Sequence, residues 1–168
     1  TRASIEAVER ITQKKLPFVD GDIRDRECLD LIFTTYSISA VLHFAGLKAV
    51  GESNNFPLRY YDNNVNGTLA LIETMAQHGC KTLVFSSSAT VYGIPESTPI
   101  TEDSDLGAVN PYGRTKLLVE ELDRLISESS NKVCSPSGDL LFECSRIVLR
   151  PADSFLFGAS ELVLLGSE

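Results

Sequence analysis

The sequence is poor in the residues that bind metals or build covalent frameworks. Its 168 residues include only two histidines and four cysteines. The cysteines, at positions 28, 80, 134 and 144, show no C-x-x-C spacing, and the histidines lie far apart, so neither a zinc site nor a disulfide scaffold is indicated. We therefore expect no bound metal, and reduced thiols in a reducing compartment.

Long apolar runs and excess positive charge are also missing. No apolar run is long enough to span a bilayer, and no signal-peptide pattern is present. The formal net charge of -8 and the pI near 4.8 argue against binding to nucleic acid or to an anionic membrane surface. The simplest inference is a soluble cytoplasmic protein, long enough for one domain, with no nucleic-acid or membrane partner.

Strand-like and helix-like segments alternate along the chain. This order predicts an α/β fold with a Rossmann-like, doubly wound parallel sheet. From residue 151 onward the apolar residues show neither a convincing helical period nor a convincing strand period. The expected strands are 18–19, 40–46, 81–87 and 144–149, and the expected helices are 5–15, 25–36, 57–78 and 111–130.

The predicted helix at 57–78 has an unusual middle. Asn63, Asn64, Asn66 and Gly67 are poor helix formers at positions where better ones would be easy to place. One interpretation is that the helix simply tolerates these residues of low helix propensity. The other is functional, with Asn63 donating to a ligand and Gly67 allowing close approach to the next element. The residues expected to face the sheet are Leu58, Tyr61, Val65, Leu69, Ile72 and Met75.

A tyrosine and a lysine one helical turn apart form the main chemical signal. Asn110 is a good N-cap and Pro111 suits the first helical position. Tyr112 and Lys116 should then lie on one helix face, about 6 Å apart along the axis. Ionising a free phenol near neutral pH takes roughly 4 kcal/mol, of which one lysine at that distance supplies roughly 3 and the helix N-terminus roughly 0.3–1. Such a base needs a further positive charge, and an oxidised nicotinamide carries one.

Serine hydroxyls follow the strand that precedes this helix. Ser86, Ser87 and Ser88 lie at its carboxyl end, which is where open parallel sheets bind ligands. A hydroxyl there would hold a substrate alcohol against the phenolate. Because a tyrosine and a lysine four residues apart also arise by chance, the prediction of an active site depends on the pair together with these serines.

Two single residues allow a functional and a structural interpretation. For His43, in a buried strand, a hydrogen-bonded core histidine is favoured over a catalytic one. Asp22 could be part of a plain turn, or could accept a hydrogen bond from an adenine amino group at the end of a strand.

Four segments closely resemble the UDP-glucose 4-epimerases of the extended short-chain dehydrogenase/reductase family. They are residues 43–53, 60–68, 86–93 and 111–116, within a similarity that covers roughly residues 16–131. The resemblance implies a partial NAD-binding Rossmann-like domain over 1–150 and a divergent tail over 151–168. It further implies interconversion of UDP-glucose and UDP-galactose through a 4-keto intermediate, as in galactose metabolism, and allows a homodimer through the two long helices.

The resemblance also implies roles for single residues. Tyr112 would take the proton of the sugar 4-hydroxyl, and Ser88 would hydrogen-bond the same hydroxyl. Lys116 would stabilise the phenolate and hold the nicotinamide ribose. The adenine would lie at Asp22 and Ile23. The implied cofactor-binding residues are Asp22, Ile23, Phe44, Ala45, Gly46, Leu47, Lys48, Asn63, Ser88, Tyr112 and Lys116, and the implied substrate-binding residues are Lys48, Ser88 and Tyr112.

The sequence departs from the resemblance near both ends. No glycine-rich turn that could hold a pyrophosphate precedes Phe18. Residues 132–143 and 151–168 resemble nothing in the family. These departures predict an interior piece of an epimerase that lacks the first βαβ unit and the C-terminal substrate lobe, binds NAD poorly and is inactive alone.

Two other functions stay open. A sugar-nucleotide dehydratase or reductase of the same family is one, although a dehydratase would be expected to carry an acid pair beside Ser87 and Ser88, where no acid is present. The other is a catalytically dead interaction protein in which the helices around Tyr61 and Leu122 serve dimerisation.

Overall fold

The computed structural model describes residues 2–129 and 164–165, which form helices around a small sheet. The α-helices are α1 (Arg2–Thr12), α2 (Arg26–Thr35), α3 (Val50–Asn55), α4 (Pro57–Tyr61), α5 (Gly67–Gln77) and α6 (Pro111–Ser129). A π-helical turn covers Asp62–Asn66 and a 3-10 turn covers Ala89–Tyr92. The strands are β1 (Ala40–His43), β2 (Thr82–Phe85) and β3 (Leu164–Leu165).

The sheet has the order β2-β1-β3 and mixes parallel with antiparallel pairing. β1 and β2 run parallel, in register from Ala40 opposite Thr82 to His43 opposite Phe85. β3 lies antiparallel on the other side of β1, where Leu165 pairs with Ala40. The two parallel strands therefore end together, and the chain segments that follow them leave from one edge.

The main core is apolar and packs α2 and α5 against the parallel strands. Burying a large aliphatic or aromatic side chain stabilises the fold by about 1.5–3 kcal/mol. The cluster consists of Leu29, Phe33, Val41, Ala70, Leu71, Ile72, Met75, Cys80 and Leu83.

The local signals at the start of α6 are confirmed, and the predicted helix at 25–36 is present as α2. The Asp25 side chain accepts hydrogen bonds from two backbone N–H groups of α2, and Leu29, Ile32 and Phe33 of that helix are buried. Asn110 caps α6 by accepting from the N–H of Gly113 at 2.8 Å.

The predicted strand at 18–19 is wrong. These residues form no strand, and the Phe18 side chain is 38% exposed. In the described sheet β1 pairs with β2 and β3, and residues 18–19 pair with none of these strands. The two-residue strand β3 lies in the segment after 151, where the sequence showed no convincing helical or strand periodicity. The strand predicted at 144–149, with Cys134 and Cys144, lies outside the described residues.

The single long helix predicted at 57–78 is interrupted by the π-helical turn. A π turn inserts a residue, so the buried face before the turn shifts by one position. Leu58 and Tyr61 were expected to face the sheet, but they are 83% and 38% exposed, whereas Tyr60 is fully buried. The helix α3 before this segment was not predicted.

Other sequence expectations can be compared directly with the described residues. Cys28 and Cys80 are free thiols. Gly79 follows the end of α5 with a φ of +69°, a conformation in which glycine carries no Cβ penalty and which commonly ends a helix. Within the described residues, no helix combines the length and apolarity needed to cross a membrane.

Candidate active site

Polar groups collect where β1 and β2 end. The segment 44–49 follows β1, and Ser86 to Ser88 follow β2. The backbone N–H of Ser86 still bonds to the carbonyl of His43 at 3.1 Å, which keeps the two segments adjacent. The N-terminal turns of α6 pack against this edge, which is the usual ligand-binding edge of a parallel sheet.

Tyr112 is the second residue of α6, and its side chain is only 8% exposed. Its ring packs in a small apolar cluster with Leu47 and Tyr60. Both polar groups of its peptide are held by hydroxyl groups, since its N–H donates to Ser53 at 3.2 Å and its carbonyl accepts from Thr115 at 2.7 Å. The backbone that carries the phenol is therefore fixed from both sides.

Lys116 lies one turn after Tyr112 and is 5% exposed. Its Nζ donates to the carbonyl of Ser86 at 2.9 Å and sits 4.6 Å from the ring centre of Phe85. Burial lowers the pKa of the Lys116 ammonium to about 8, while the charge of Glu120 acts in the opposite direction. The group therefore remains mostly protonated at neutral pH.

Ser88 caps the 3-10 turn that follows β2. Its Oγ accepts from the N–H of Thr90 at 3.3 Å and from the hydroxyl of Thr90 at 3.0 Å. Neither bond uses the hydroxyl proton of Ser88, which can therefore be donated to a bound alcohol. Gly113 brings α6 close to this turn, because a Cβ at that position would lie 2.8 Å from the Thr90 carbonyl oxygen.

Asn64, in the π-helical turn, joins the segment after β1 to α6. Its side-chain oxygen accepts from the N–H of Leu47 at 2.8 Å, and its Nδ2 donates to the Leu47 carbonyl at 2.9 Å and to Thr115 at 3.1 Å. Asn63 donates to the same oxygen at 3.0 Å. All four hydrogen-bonding positions of the carboxamide are thus used.

Residues 44–48 combine buried and exposed side chains. Ala45 and Leu47 are buried, whereas Phe44 and Lys48 are exposed. Gly46 lies between them against the site, since a Cβ there would be 3.3 Å from Asn64 Oδ1 and 3.6 Å from Lys116 Nζ. A side chain at position 46 would therefore press against Asn64 Oδ1 and come into contact with the ammonium.

His43 is a core histidine, as the sequence predicted. It is fully buried, and its Nε2 lies 2.8 Å from the hydroxyl of Thr68, which itself donates to the Asn64 carbonyl at 2.6 Å. His43 Nε2 must therefore be the donor. Burial, helped by the Lys116 charge, lowers the pKa of His43 to about 3, so the ring is neutral near pH 7.

Asp22 lies in a second polar group, nearer the surface. Arg24 binds both Asp22 carboxylate oxygens, at 3.0 and 2.6 Å, and reaches Asp62 at 2.5 Å. The hydrogen bond from the Arg24 side chain is the main cause that lowers the pKa of Asp22. Ile23 is buried against Gly67, where a Cβ would lie 2.6 Å from the isoleucine side chain. The close approach predicted for Gly67 is thus present, but to Ile23.

The predicted site residues form two groups linked by the π-helical turn. Tyr112, Lys116, Ser88 and residues 44–48 surround the sheet edge. Asp22 and Ile23 lie beside Arg24, which binds Asp62, the first residue of the π-helical turn. Asn63 and Asn64 lie within that turn.

Three residues that hold the site together were missed from the sequence: Ser53, Asn64 and Thr115. The weak helix formers at 63–67 marked the turn, but nothing distinguished Asn64 from Asn63. No sequence signal singled out Ser53 or Thr115, because their contacts come from tertiary packing.

Comparison with known proteins identifies the relatives of this arrangement. A family model described as GDP-mannose 4,6 dehydratase matches residues 1–137. The chain belongs to this family. It is also homologous to UDP-glucose 4-epimerases, with 54% identity over 129 residues to the Bacillus subtilis enzyme and 60% over 117 residues to that of Dictyostelium discoideum. The matches cover 77% and 70% of this chain but only 38% and 34% of those relatives.

Solved structures agree with these relatives. A UDP-glucose 4-epimerase from Bifidobacterium longum in complex with NAD+ and UDP superimposes with a TM-score of 0.74 at 46% identity. The superposition covers 77% of this chain and 39% of that protein. An epimerase from Stenotrophomonas maltophila with bound NAD gives 0.73 at 45% identity, over 77% of this chain and 38% of that protein. The sequence-based resemblance is confirmed, and the fold corresponds to part of the epimerase Rossmann fold.

Proposed function

We propose that this chain carries the acid–base half of a UDP-glucose 4-epimerase site. The observation that supports it most is the joint burial of Tyr112 and Lys116 on the first turns of α6, beside the carboxyl ends of two parallel strands. Ser88 follows β2 at the same edge and can donate its hydroxyl proton. A phenol, an ammonium and a hydroxyl are the groups that proton removal from a sugar alcohol requires.

Each group has a defined task in the proposed reaction. Tyr112, as phenolate, takes the proton of the 4-hydroxyl when UDP-glucose or UDP-galactose is oxidised to the 4-keto sugar, and gives it back when the epimer forms. Lys116 stabilises the phenolate by its charge, which persists at neutral pH because its pKa of about 8 stays above 7. Ser88 donates to the sugar O4 and keeps it against Tyr112.

The site residues suit NAD. Lys116 uses one of three N–H groups on Ser86, so others can bind ribose hydroxyls. The absent side chain of Gly46 leaves the backbone close to Lys116, and exposed Phe44 offers a flat apolar surface. We propose that Asp22, Ile23, residues 44–48, Asn63, Ser88, Tyr112 and Lys116 hold NAD, and that Lys48, Ser88 and Tyr112 contact the substrate. Bound NAD would supply a reversible acceptor for the hydride that leaves the sugar C4.

The test uses a graft, because the chain spans less than two-fifths of its relatives' length. The 129 matched residues replace their counterparts in the Bacillus subtilis relative, and conversion of UDP-galactose to UDP-glucose is assayed with NAD. The graft should be active, and Tyr112→Phe should lower its kcat at least a hundredfold, since general base catalysis contributes about 10²–10⁴. Arg114→Gln, on the exposed side of the same turn, is the control. A folded graft whose Tyr112→Phe variant keeps full activity would refute the proposal. We expect the 168-residue chain alone to be inactive.

The description of the matching family favours testing a second reaction, a sugar-nucleotide 4,6-dehydratase. Loss of water from the sugar needs an acid near the base, but Ser88 is followed by Ala89 and Thr90. The carboxylate of Glu120 lies at this edge, where it accepts a hydrogen bond from Ser87. Product analysis of the graft should therefore show the epimer and no 4-keto-6-deoxy sugar.

A further inference from the structure

The N–H of Tyr112 is a donor that its own helix cannot satisfy. The first N–H groups of an α-helix have no intrahelical acceptor. Asn110 serves one of these donors, accepting from Gly113 through its side chain at 2.8 Å, and its carbonyl accepts the first regular helix bond, from Arg114 at 3.0 Å. Tyr112 lies between the cap and these residues, is buried, and needs an acceptor from elsewhere.

Ser53, 59 residues earlier in the chain, supplies that acceptor. Its Oγ lies 3.2 Å from the Tyr112 nitrogen and donates its own proton to the carbonyl of Val50 at 2.6 Å. The side chain is fully buried, so water does not compete for either bond. Because the proton is committed to Val50, a lone pair of the oxygen points at Tyr112.

The contact connects the base to the segment after β1. Ser53 belongs to α3, which begins directly after residues 44–49. The fully buried Tyr60, just beyond α3, packs in one apolar cluster with Leu47 and Tyr112, and its hydroxyl donates to the Ala49 carbonyl at 2.8 Å. Any shift of α3 would therefore move Tyr112 relative to residues 44–49.

We propose that Ser53 is a positioning residue that holds Tyr112 in register with residues 44–49. It touches neither cofactor nor substrate in the proposed reaction and acts through the peptide N–H of the base. Its consequence for catalysis rests on the proposed function, but the contact itself can be tested without sugar or NAD.

The experiment compares Ser53→Ala with the unchanged 168-residue chain by NMR. Removing the acceptor should speed amide hydrogen exchange at Tyr112 at least tenfold, while Gly113, held by Asn110, changes less than threefold. The nuclear Overhauser contact between the Tyr112 ring and the Leu47 methyl groups should weaken. Ser53→Cys, which keeps a weak acceptor, should restore part of both signals.

Thr74→Val is the matched control, because Thr74 is another buried hydroxyl and donates to the Ala70 carbonyl in its own helix. It should leave the Tyr112 signals unchanged. The proposal is overturned if Ser53→Ala leaves Tyr112 exchange and ring contacts as they were. It is also overturned if Ser53→Ala speeds exchange uniformly across the chain, as a general loss of stability would.

Discussion

Two clusters of polar side chains in this chain differ in whether their members are joined by neutral hydrogen bonds or by ion pairs. The buried cluster, which we define as Lys116, Asn64, Thr115, Thr68 and His43, is connected through neutral donors and acceptors, with one ammonium bonded to a carbonyl. The surface cluster, Asp22, Arg24 and Asp62, uses paired charges that are between 41% and 51% exposed. Buried polar networks fix geometry because unpaired groups are costly there, whereas exposed ion pairs contribute little.

Asn64→Ala should show the largest difference between the clusters. It removes the partners of the Leu47 N–H, the Leu47 carbonyl and Thr115, and an unsatisfied buried group costs about 1–3 kcal/mol. We expect the free energy of unfolding to fall by about 3 kcal/mol or more in urea titrations. Asn66→Ala, at an exposed amide of the same turn, is the control and should cost less than about 0.5 kcal/mol. Equal losses of unfolding free energy in Asn64→Ala and Asn66→Ala would show that the buried hydrogen bonds contribute no more than the exposed amide.

Lys116→Met should reveal the cost of the buried charge. The pKa of Lys116 is about 8 in the folded chain against an ordinary 10.5, so between these values the unfolded state binds more protons and stability rises with pH. Below pH 8 the full cost, about 3 kcal/mol, is present. The unchanged chain should therefore gain about 3 kcal/mol relative to Lys116→Met between pH 7 and pH 10.5.

Urea unfolding of both proteins at pH 7, 8, 9 and 10 measures this difference. Lys48→Met, at an exposed lysine, serves as the control and should change stability by less than about 0.5 kcal/mol at pH 7. A difference between the unchanged chain and Lys116→Met that stays constant with pH would mean that the ammonium is not desolvated.

Arg24→Leu should have the smallest effect. Both its carboxylate partners are about half exposed, and solvent screening limits such pairs to about 0–1 kcal/mol. The loss should shrink further in about 1 M salt, where the Debye length is about 3 Å. A loss comparable to that of Asn64→Ala, insensitive to salt, would place the surface cluster in the same class as the buried one.

The parts of the fold that local chemistry determines were predictable. The cap at Asp25 and the buried face of α2 follow from neighbouring residues, as do the start of α6 at Pro111 and the shared face of Tyr112 and Lys116. The family resemblance needed no structure either, because its motifs are contiguous.

The parts that depend on distant partners were not predictable. Residues 18–19 pair with no strand of the described sheet, and β3 pairs with β1, which lies more than 100 residues earlier in the chain, so neither outcome follows from local sequence. The π-helical turn lets Asn64 reach Leu47 and Thr115, contacts that no spacing in the sequence reveals. The shift of the buried face from Tyr61 to Tyr60 follows from that turn.

The proposed acid–base chemistry depends on a buried, carbonyl-bound ammonium that lies one helical turn from a buried phenol. A pH titration of Lys116 by NMR, with its side chain isotopically labelled and Lys116→Met used for assignment, tests it directly. We expect a midpoint near pH 8. A midpoint near 10.5, the ordinary value for lysine, would show that the ammonium is solvated and that Lys116 is not a buried charge beside Tyr112.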